Sequence, residues 1–295
     1  MADKMKRRAL GHTLLFALLA FAYSWAIFFA LDVWFIPTFA HQFDASFLAV
    51  VGMFGHFLGM AGPALAAFVM WRRFDDALRP VWKWSHARYY LAIAGAVLIL
   101  RGISLAAGAL DAPNELAVRN PFEAYLWLIP VSGLTVGWLA GMGEELGWCA
   151  YLLPLLAPPF GKIGAVVISG IVRGLWHLPV VLAPLILVAS QNEMSLDAFG
   201  ANVLTITLAL VISNILFGAA MGWLWFKTES VPLVGWAHQC FDVARDFGTL
   251  FVFGAASGDT AALAWSVGIH LIGLVALVWL ARQAWSSRSI LVRSV

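Results

Sequence analysis

The sequence predicts an all-α fold, a polytopic transmembrane helix bundle with about eight membrane helices. The 295 residues are 62% hydrophobic and only 12% charged. A water-soluble domain of this length needs more polar surface to remain in solution. A membrane-spanning helix takes roughly 20 predominantly apolar residues, and eight stretches satisfy that requirement. We therefore expect residues 1–295 to form a single membrane domain.

The eight predicted spans follow one another without a low-complexity segment or a long linker. The first begins after a basic amino terminus and is too long for the core of a signal peptide, so we interpret it as a retained membrane helix. The predicted spans are about 10–35, 46–71, 89–110, 123–143, 162–190, 203–226, 231–254 and 261–281.

The loop cations predict an orientation in which both termini are cytoplasmic. Lysine and arginine accumulate in cytoplasmic loops of membrane proteins. With the amino terminus inside, the only cation in an outer loop is Arg119. The inner stretches hold Lys4, Lys6, Arg7, Arg8, Arg72, Arg73, Arg79, Lys83, Arg88, Lys162, Lys227, Arg282, Arg288 and Arg293. The net charge is only +2, so no nucleic-acid partner is expected. The low share of charged residues predicts membrane lipids as neighbours.

Ionisable side chains within the spans are the main functional signal, because such groups face a partner or a water-filled cavity. Glu144 and Glu145 end the fourth span, and their directions diverge by about 100° on a helix. Arg173 and His177 share one helical face of the fifth span. The seventh span holds His238, Asp242, Arg245 and Asp246.

Two glutamates and two histidines from three helices could activate a water molecule. A carboxylate accepts a proton from the water, and a histidine orients the water or donates to the oxyanion of a tetrahedral intermediate. No serine or cysteine lies in a recognised nucleophile turn. The same residues could instead form an ion-pair network that only fixes the packing of the bundle. Helix–helix contacts are our interpretation of Asp32, His56, Arg101 and His270.

These residues alone are also compatible with other functions. A proton- or ion-coupled transporter would place the buried charges along a transport path, although the sequence has no internal repeat. A metalloenzyme could use a glutamate and two histidines as zinc ligands, although the chain has no H-E-x-x-H motif. A third alternative is a catalytically impaired pseudoprotease that binds hydrophobic peptides without cleaving them.

Three motifs in the second half resemble those of the CPBP family, the CAAX-protease and bacteriocin-processing intramembrane endopeptidases. The resemblance extends from about residue 120 to about residue 250. The first motif is Gly143-Glu144-Glu145-Leu146-Gly147-Trp148 with the following Ala150-Tyr151-Leu152-Leu153-Pro154-Leu155-Leu156. The second is Gly174-Leu175-Trp176-His177-Leu178-Pro179. The third is Gly222-Trp223-Leu224 followed by Trp236-Ala237-His238-Gln239-Cys240-Phe241-Asp242.

The resemblance implies a metal-independent glutamic endopeptidase that needs no cofactor. By analogy Glu144 is the general base and His177 assists it, while His238 and Asp242 orient the water or stabilise the oxyanion. Glu145 has a supporting structural role. The implied substrate is a hydrophobic or lipidated peptide or protein tail. A chain this short and so largely embedded is typical of a prokaryotic cell membrane.

The chain departs from the family pattern at three positions. Cys149 replaces the arginine of the EExxxR motif, Arg173 replaces an aromatic residue, and Asp242 stands where many relatives have asparagine. We hypothesise that Arg173 supplies from the fifth helix the positive charge that is missing at position 149. Two buried glutamates without a nearby cation would be costly. The competing interpretation is that the loss of the motif arginine at Cys149 marks a pseudoprotease.

Overall fold

The computed structural model describes residues 2–39, 41–74, 82–111, 116–118, 130–191, 194–254 and 259–292. These ranges are almost entirely helical. The α-helices are α1 (Ala2–Phe28), α2 (Ile36–Phe39), α3 (Ala45–Gly59), α4 (Gly62–Phe74), α5 (Ala87–Asp111), α6 (Trp138–Glu145), α7 (Leu153–Trp176), α8 (Leu178–Gln191), α9 (Leu196–Thr228), α10 (Val231–Phe251) and α11 (Asp259–Val292). Turns of π-helix occupy Phe29–Phe35, Gly133–Gly137 and Leu146–Leu152. A short antiparallel ribbon pairs β1 (Leu116–Val118) with β2 (Val252–Gly254).

Six helical segments of the described ranges are long and apolar enough to cross a membrane. A polytopic, all-helical membrane protein is therefore confirmed, whereas the count of eight spans stays a prediction. One segment, Pro130–Ala183, has 54 residues, or about 80 Å of α-helix against a hydrocarbon core of about 30 Å. Gly161 interrupts it with φ 73° and ψ 166°, so this segment consists of two helical parts that meet at Gly161. The predicted span 231–254 is not among the six.

Two predicted spans are interrupted where a proline follows. The predicted span 46–71 contains a turn at Met60 and Ala61, before Pro63, and the predicted span 162–190 contains a turn at His177, before Pro179. Proline lacks an amide hydrogen, so it cannot bond to the carbonyl four residues earlier, and it is favoured in the first turn of a new helix. Each interruption therefore follows from local chemistry that hydropathy alone does not register.

Three predicted loop cations, Arg79, Arg119 and Arg293, and residues 123–129 lie outside the described residues.

Several cations of the described chain gather at one end of the bundle, where α1 begins, α4 ends, α5 begins and α9 ends. Lys6, Lys83, Lys162 and Lys227 define this end, which we call the basic face. Neighbouring helix ends are linked there by four contacts: Lys6 to the Phe160 ring centroid (5.9 Å), Lys162 Nζ to Gln283 Oε1 (3.4 Å), Lys227 to the Trp279 ring centroid (4.1 Å) and Lys83 Nζ to Glu229 Oε2 (3.0 Å).

In the second half of the chain, close crossings between helices depend on glycine. On α7, a Cβ atom added at Gly170 or Gly174 would lie 2.6 or 2.7 Å from a backbone Cα atom of α9. On α10, a Cβ added at Gly235 would lie 2.8 Å from the backbone nitrogen of Met142 in α6. Small residues that let helices approach closely are a common packing device in membranes. These crossings bring together α6, α7, α9 and α10.

We expect Gly235→Ala to lower the thermal unfolding midpoint of the detergent-solubilised protein. The new methyl group would overlap the α6 backbone, and overpacking of this kind typically costs about 1–3 kcal/mol. Gly102→Ala on α5 is the matched control, because nothing lies within 4 Å of a Cβ added there. An unfolding midpoint for Gly235→Ala equal to that of Gly102→Ala would contradict this account of the α6–α10 crossing.

Candidate active site

The two adjacent glutamates lie at the end of α6 and are removed from solvent. Their side chains are 2% exposed for Glu144 and 0% exposed for Glu145. The guanidinium of Arg173 on α7 lies against both, with Nη2 at 2.6 Å from Glu145 Oε1 and 3.5 Å from Glu144 Oε2. The positive charge expected from the fifth predicted span is therefore in contact with the glutamate pair.

Glu145 is held by groups from three elements. Its Oε1 faces both Arg173 Nη2 and His238 Nδ1, the latter at 2.9 Å. Its Oε2 accepts a hydrogen bond from Cys149 Sγ at 2.9 Å. Cys149 is one helical turn further along, where the family motif has its arginine. The cysteine thus contacts the carboxylate without adding a charge, and the cation beside Glu145 is Arg173 on α7.

Glu144 has a different environment from its neighbour. Its Oε2 accepts a hydrogen bond from the indole nitrogen of Trp148 at 3.1 Å, and its contact with Arg173 is the longer of the two guanidinium contacts. Trp148 is itself buried, with 1% exposure. Of the two carboxylates, Glu144 is therefore the less tightly engaged by the guanidinium and by histidine.

His238 links the buried glutamates to a more exposed pair on the same helix. Its Nε2 is 3.4 Å from Asp242 Oδ2, and Asp242 Oδ1 is 3.1 Å from Arg245 Nη1. The ring of Phe217 on α9 packs against this group, with its centroid 5.3 Å from the His238 ring and 4.8 Å from the Arg173 guanidinium carbon. An aromatic face beside a guanidinium adds cation–π attraction.

His177 lies at the end of α7, one turn beyond Arg173. Its Nδ1 is 2.8 Å from the carbonyl oxygen of Arg173, so Nδ1 is the donor and Nε2 is left to interact with a water or a substrate. Within the described ranges, no hydrogen bond joins His177 to Glu144. The structure therefore joins Glu144, Glu145, Arg173, His238 and Asp242 into one connected group through these contacts, with His177 beside it.

Three contacts of this group were not predicted from the sequence. The bonds from Trp148 to Glu144 and from Cys149 to Glu145 both have i, i+4 spacing, which is a signal that the sequence does contain. Phe217 carries no comparable signal, because it is one of 21 phenylalanines in the chain and lies on a predominantly apolar helix. Only the packing of α9 against α7 places it at the site.

The other intramembrane ionisable groups make contacts between helical elements. Asp32 Oδ2 is 3.0 Å from His56 Nε2, and His270 Nε2 is 3.0 Å from Ser213 Oγ. Arg101 Nη2 donates to the carbonyl oxygen of Arg245 at 3.4 Å. These contacts agree with the interpretation of such residues as helix–helix links. The side chain of Asp246 lies outside the described residues.

In the described part of the chain, no three histidine, cysteine, aspartate or glutamate side chains are arranged to hold one metal ion. The guanidinium of Arg173 lies between the carboxylates and His238. The arrangement places carboxylate, guanidinium and histidine groups side by side, and carboxylates and histidines are side chains that can act as acids, bases and hydrogen-bond donors in hydrolysis.

The fold and this cluster define an integral membrane protein with a buried carboxylate, guanidinium and histidine centre. Residues 126–244 match the model of a protein family described as type II CAAX prenyl endopeptidase Rce1-like. The match confirms the family resemblance that the three motifs predict. It includes every residue of the connected group and covers less than half of the chain. It supports a CAAX-type endopeptidase in general. No curated protein matches the chain.

Proposed function

We propose that this protein is a metal-independent intramembrane endopeptidase in which Glu144 activates water. The observation that carries the proposal is the unequal environment of the two glutamates. Glu145 is engaged by Arg173, His238 and Cys149, which suits a supporting role. Glu144 keeps a looser contact with the guanidinium, which suits a carboxylate that must accept and return a proton.

In the proposed reaction, Glu144 removes a proton from water as the water oxygen attacks the carbonyl carbon of the peptide bond. His177, whose Nδ1 donates to a backbone carbonyl, accepts a hydrogen bond from the attacking water through Nε2. The resulting oxyanion accepts a hydrogen bond from Nε2–H of His238 in its protonated, imidazolium form. Asp242 and Glu145 hold the His238 ring from opposite nitrogens. Glu144 then delivers its proton to the amide nitrogen, the C–N bond breaks, and a carboxylic acid and an amine leave.

Arg173 has a supporting role in this proposal. A buried guanidinium compensates part of the negative charge of the two glutamates and keeps the cluster assembled. The proposed substrate is a hydrophobic or lipidated peptide or protein tail, in agreement with the family description and with a site inside a membrane bundle. The proposed location is a prokaryotic cell membrane with both termini in the cytoplasm.

A pseudoprotease is the rival that a specific observation favours, because Cys149 replaces the family's motif arginine. Purified protein incubated with a quenched fluorescent lipopeptide library separates the two functions. We expect cleavage that continues after treatment with EDTA and with 1,10-phenanthroline, and that does not follow the zinc content of the preparation. Cleavage that chelators abolish and zinc restores would contradict the metal-independent mechanism. Binding without cleavage would favour the pseudoprotease.

A further inference from the structure

One face of α10 changes character along its length. Val231, Val234, His238, Asp242 and Arg245 are spaced by three or four residues and so share this face. Val231 and Val234 are 2% and 0% exposed. The side chains of His238, Asp242 and Arg245 are 6%, 25% and 55% exposed. The stripe is therefore apolar and closed at the start of the helix, and polar and open further along.

The closed end of this stripe lies at the basic face. Ser230, which precedes α10, donates a hydrogen bond to the carbonyl oxygen of Lys83. Other helices close the same end, since Leu156 comes six residues before Lys162 and Trp225 comes two residues before Lys227. Leu156 and Trp225 are 0% and 4% exposed. A packed apolar layer thus separates the glutamate cluster from the basic face.

The open end of the stripe lies beyond the middle of the bundle. Arg245 follows Val231 by 14 residues, which is about 21 Å of α-helix in a hydrocarbon core of about 30 Å. Exposed charged groups at this depth face water or a partner rather than lipid tails. The partly exposed Asp242–Arg245 pair therefore marks an open, polar side of the cluster, toward the end opposite the basic face.

A second polar pair lies on that opposite side. Asp32 comes 26 residues after Lys6, far enough to cross the bilayer. Its partner His56 is 37% exposed. The ring of Phe28 contacts both His56 and Trp176 at 5.5 Å between centroids, and Trp176 contacts His177. Exposed polar groups thus approach the site from the far end on α1 and α3 as well as on α10.

We infer that the substrate reaches the cluster from the end of the bundle opposite the basic face. Because lysine and arginine mark the cytoplasmic side of membrane proteins, that end is extracytoplasmic. The inference rests on the proposed function and refines its substrate class. The cleaved peptide is then a hydrophobic segment presented outside the cytoplasm, such as a secreted peptide or the extracytoplasmic tail of a membrane protein.

Labelling of introduced cysteines with a membrane-impermeant maleimide tests the direction of access without requiring cleavage. The two native cysteines, Cys149 and Cys240, are buried, so the wild-type protein supplies the background. Arg245→Cys and Asp242→Cys probe the open end of the stripe, and Val234→Cys probes the apolar layer. Lys4→Cys and Gln42→Cys mark the two ends of the bundle at exposed positions. Only variants that elute like the wild type on gel filtration are compared.

We expect right-side-out vesicles to label Arg245→Cys, Asp242→Cys and Gln42→Cys, and inverted vesicles to label Lys4→Cys. Val234→Cys should stay unlabelled from both sides. Labelling of Arg245→Cys only in inverted vesicles, or in neither preparation, would overturn the inference. Labelling of Lys4→Cys in right-side-out vesicles would overturn it as well, because the open end would then be cytoplasmic.

A second measurement uses the wild-type protein, so that it does not depend on the folding of any variant. Vesicles of each orientation receive a cleavable peptide that does not cross the membrane. Faster cleavage by right-side-out vesicles is expected, and faster cleavage by inverted vesicles would overturn the inference. If the solubilised protein cleaves no peptide, the proposed function fails, whereas the labelling pattern still decides the direction in which the site opens.

Discussion

Glu144→Gln is expected to lower kcat/KM for peptide cleavage by about 10²–10⁴-fold, the usual contribution of a general base. Glutamine has the same shape, and its amide oxygen can still accept the hydrogen bond from Trp148. It cannot take a proton from water. The thermal unfolding midpoint should therefore stay close to that of the wild type, while cleavage of a fluorescent lipopeptide is lost.

Two matched variants make the Glu144 result interpretable. Glu229→Gln changes an exposed carboxylate paired with Lys83 at the basic face and should leave both cleavage and unfolding unchanged. Glu145→Gln removes the carboxylate that engages Arg173 and His238, so it should lower the unfolding midpoint as well as activity. If Glu144→Gln cleaved like the wild type while Glu145→Gln folded normally but lost activity, the roles assigned to the two glutamates would be reversed.

Arg173→Phe is expected to lower the free energy of unfolding by about 3–5 kcal/mol, the cost of removing one partner from a buried ion pair. It should also abolish cleavage, because both glutamates lose their cation. Adding Cys149→Arg to this variant should restore part of both properties. Cys149 Sγ lies 2.9 Å from Glu145 Oε2, so an arginine at this position starts beside the same carboxylate. Unfolding midpoints and cleavage rates measure the rescue.

Arg101→Phe provides the control for this exchange. Arg101 is also buried, at 6% exposure, but it bonds to Ser104 and to the backbone of Arg245 rather than to the glutamates. Cys149→Arg should therefore not rescue it. Normal stability and cleavage in Arg173→Phe alone would refute the idea that Arg173 compensates for the missing motif arginine. Equal rescue of Arg101→Phe would show that the effect of Cys149→Arg is not specific.

Hydropathy and loop charge predict the fold class because a bilayer imposes strong constraints on length and composition. They do not predict where a helix is interrupted. The turn at His177 and the break at Gly161 depend on local backbone chemistry and on packing between helices. The segment Val231–Phe251 shows the opposite difficulty, since the polar residues that we propose to be functional also lower its hydropathy and so weaken its signal as a membrane span.

The composition of the site could be predicted further than its geometry. Helical spacing predicts that His238 and Asp242 share a face, and the charge balance predicts that Arg173 approaches the glutamates. Neither predicts that Glu145 rather than Glu144 contacts His238, because that depends on the rotation of α6 against α10. Gly235 lets the two helices approach closely at Met142, and such a close backbone contact is visible only in three dimensions.

Mass analysis of a lipopeptide library incubated with purified protein tests the central claim most directly. The account predicts paired amino- and carboxyl-terminal fragments from wild-type protein in the presence of chelators, and none from Glu144→Gln of equal stability. Intact peptides after incubation with folded wild-type protein that binds them would contradict the claim and identify a peptide-binding pseudoprotease. Identical fragments from wild type and Glu144→Gln would assign the cleavage to another site or to a contaminant.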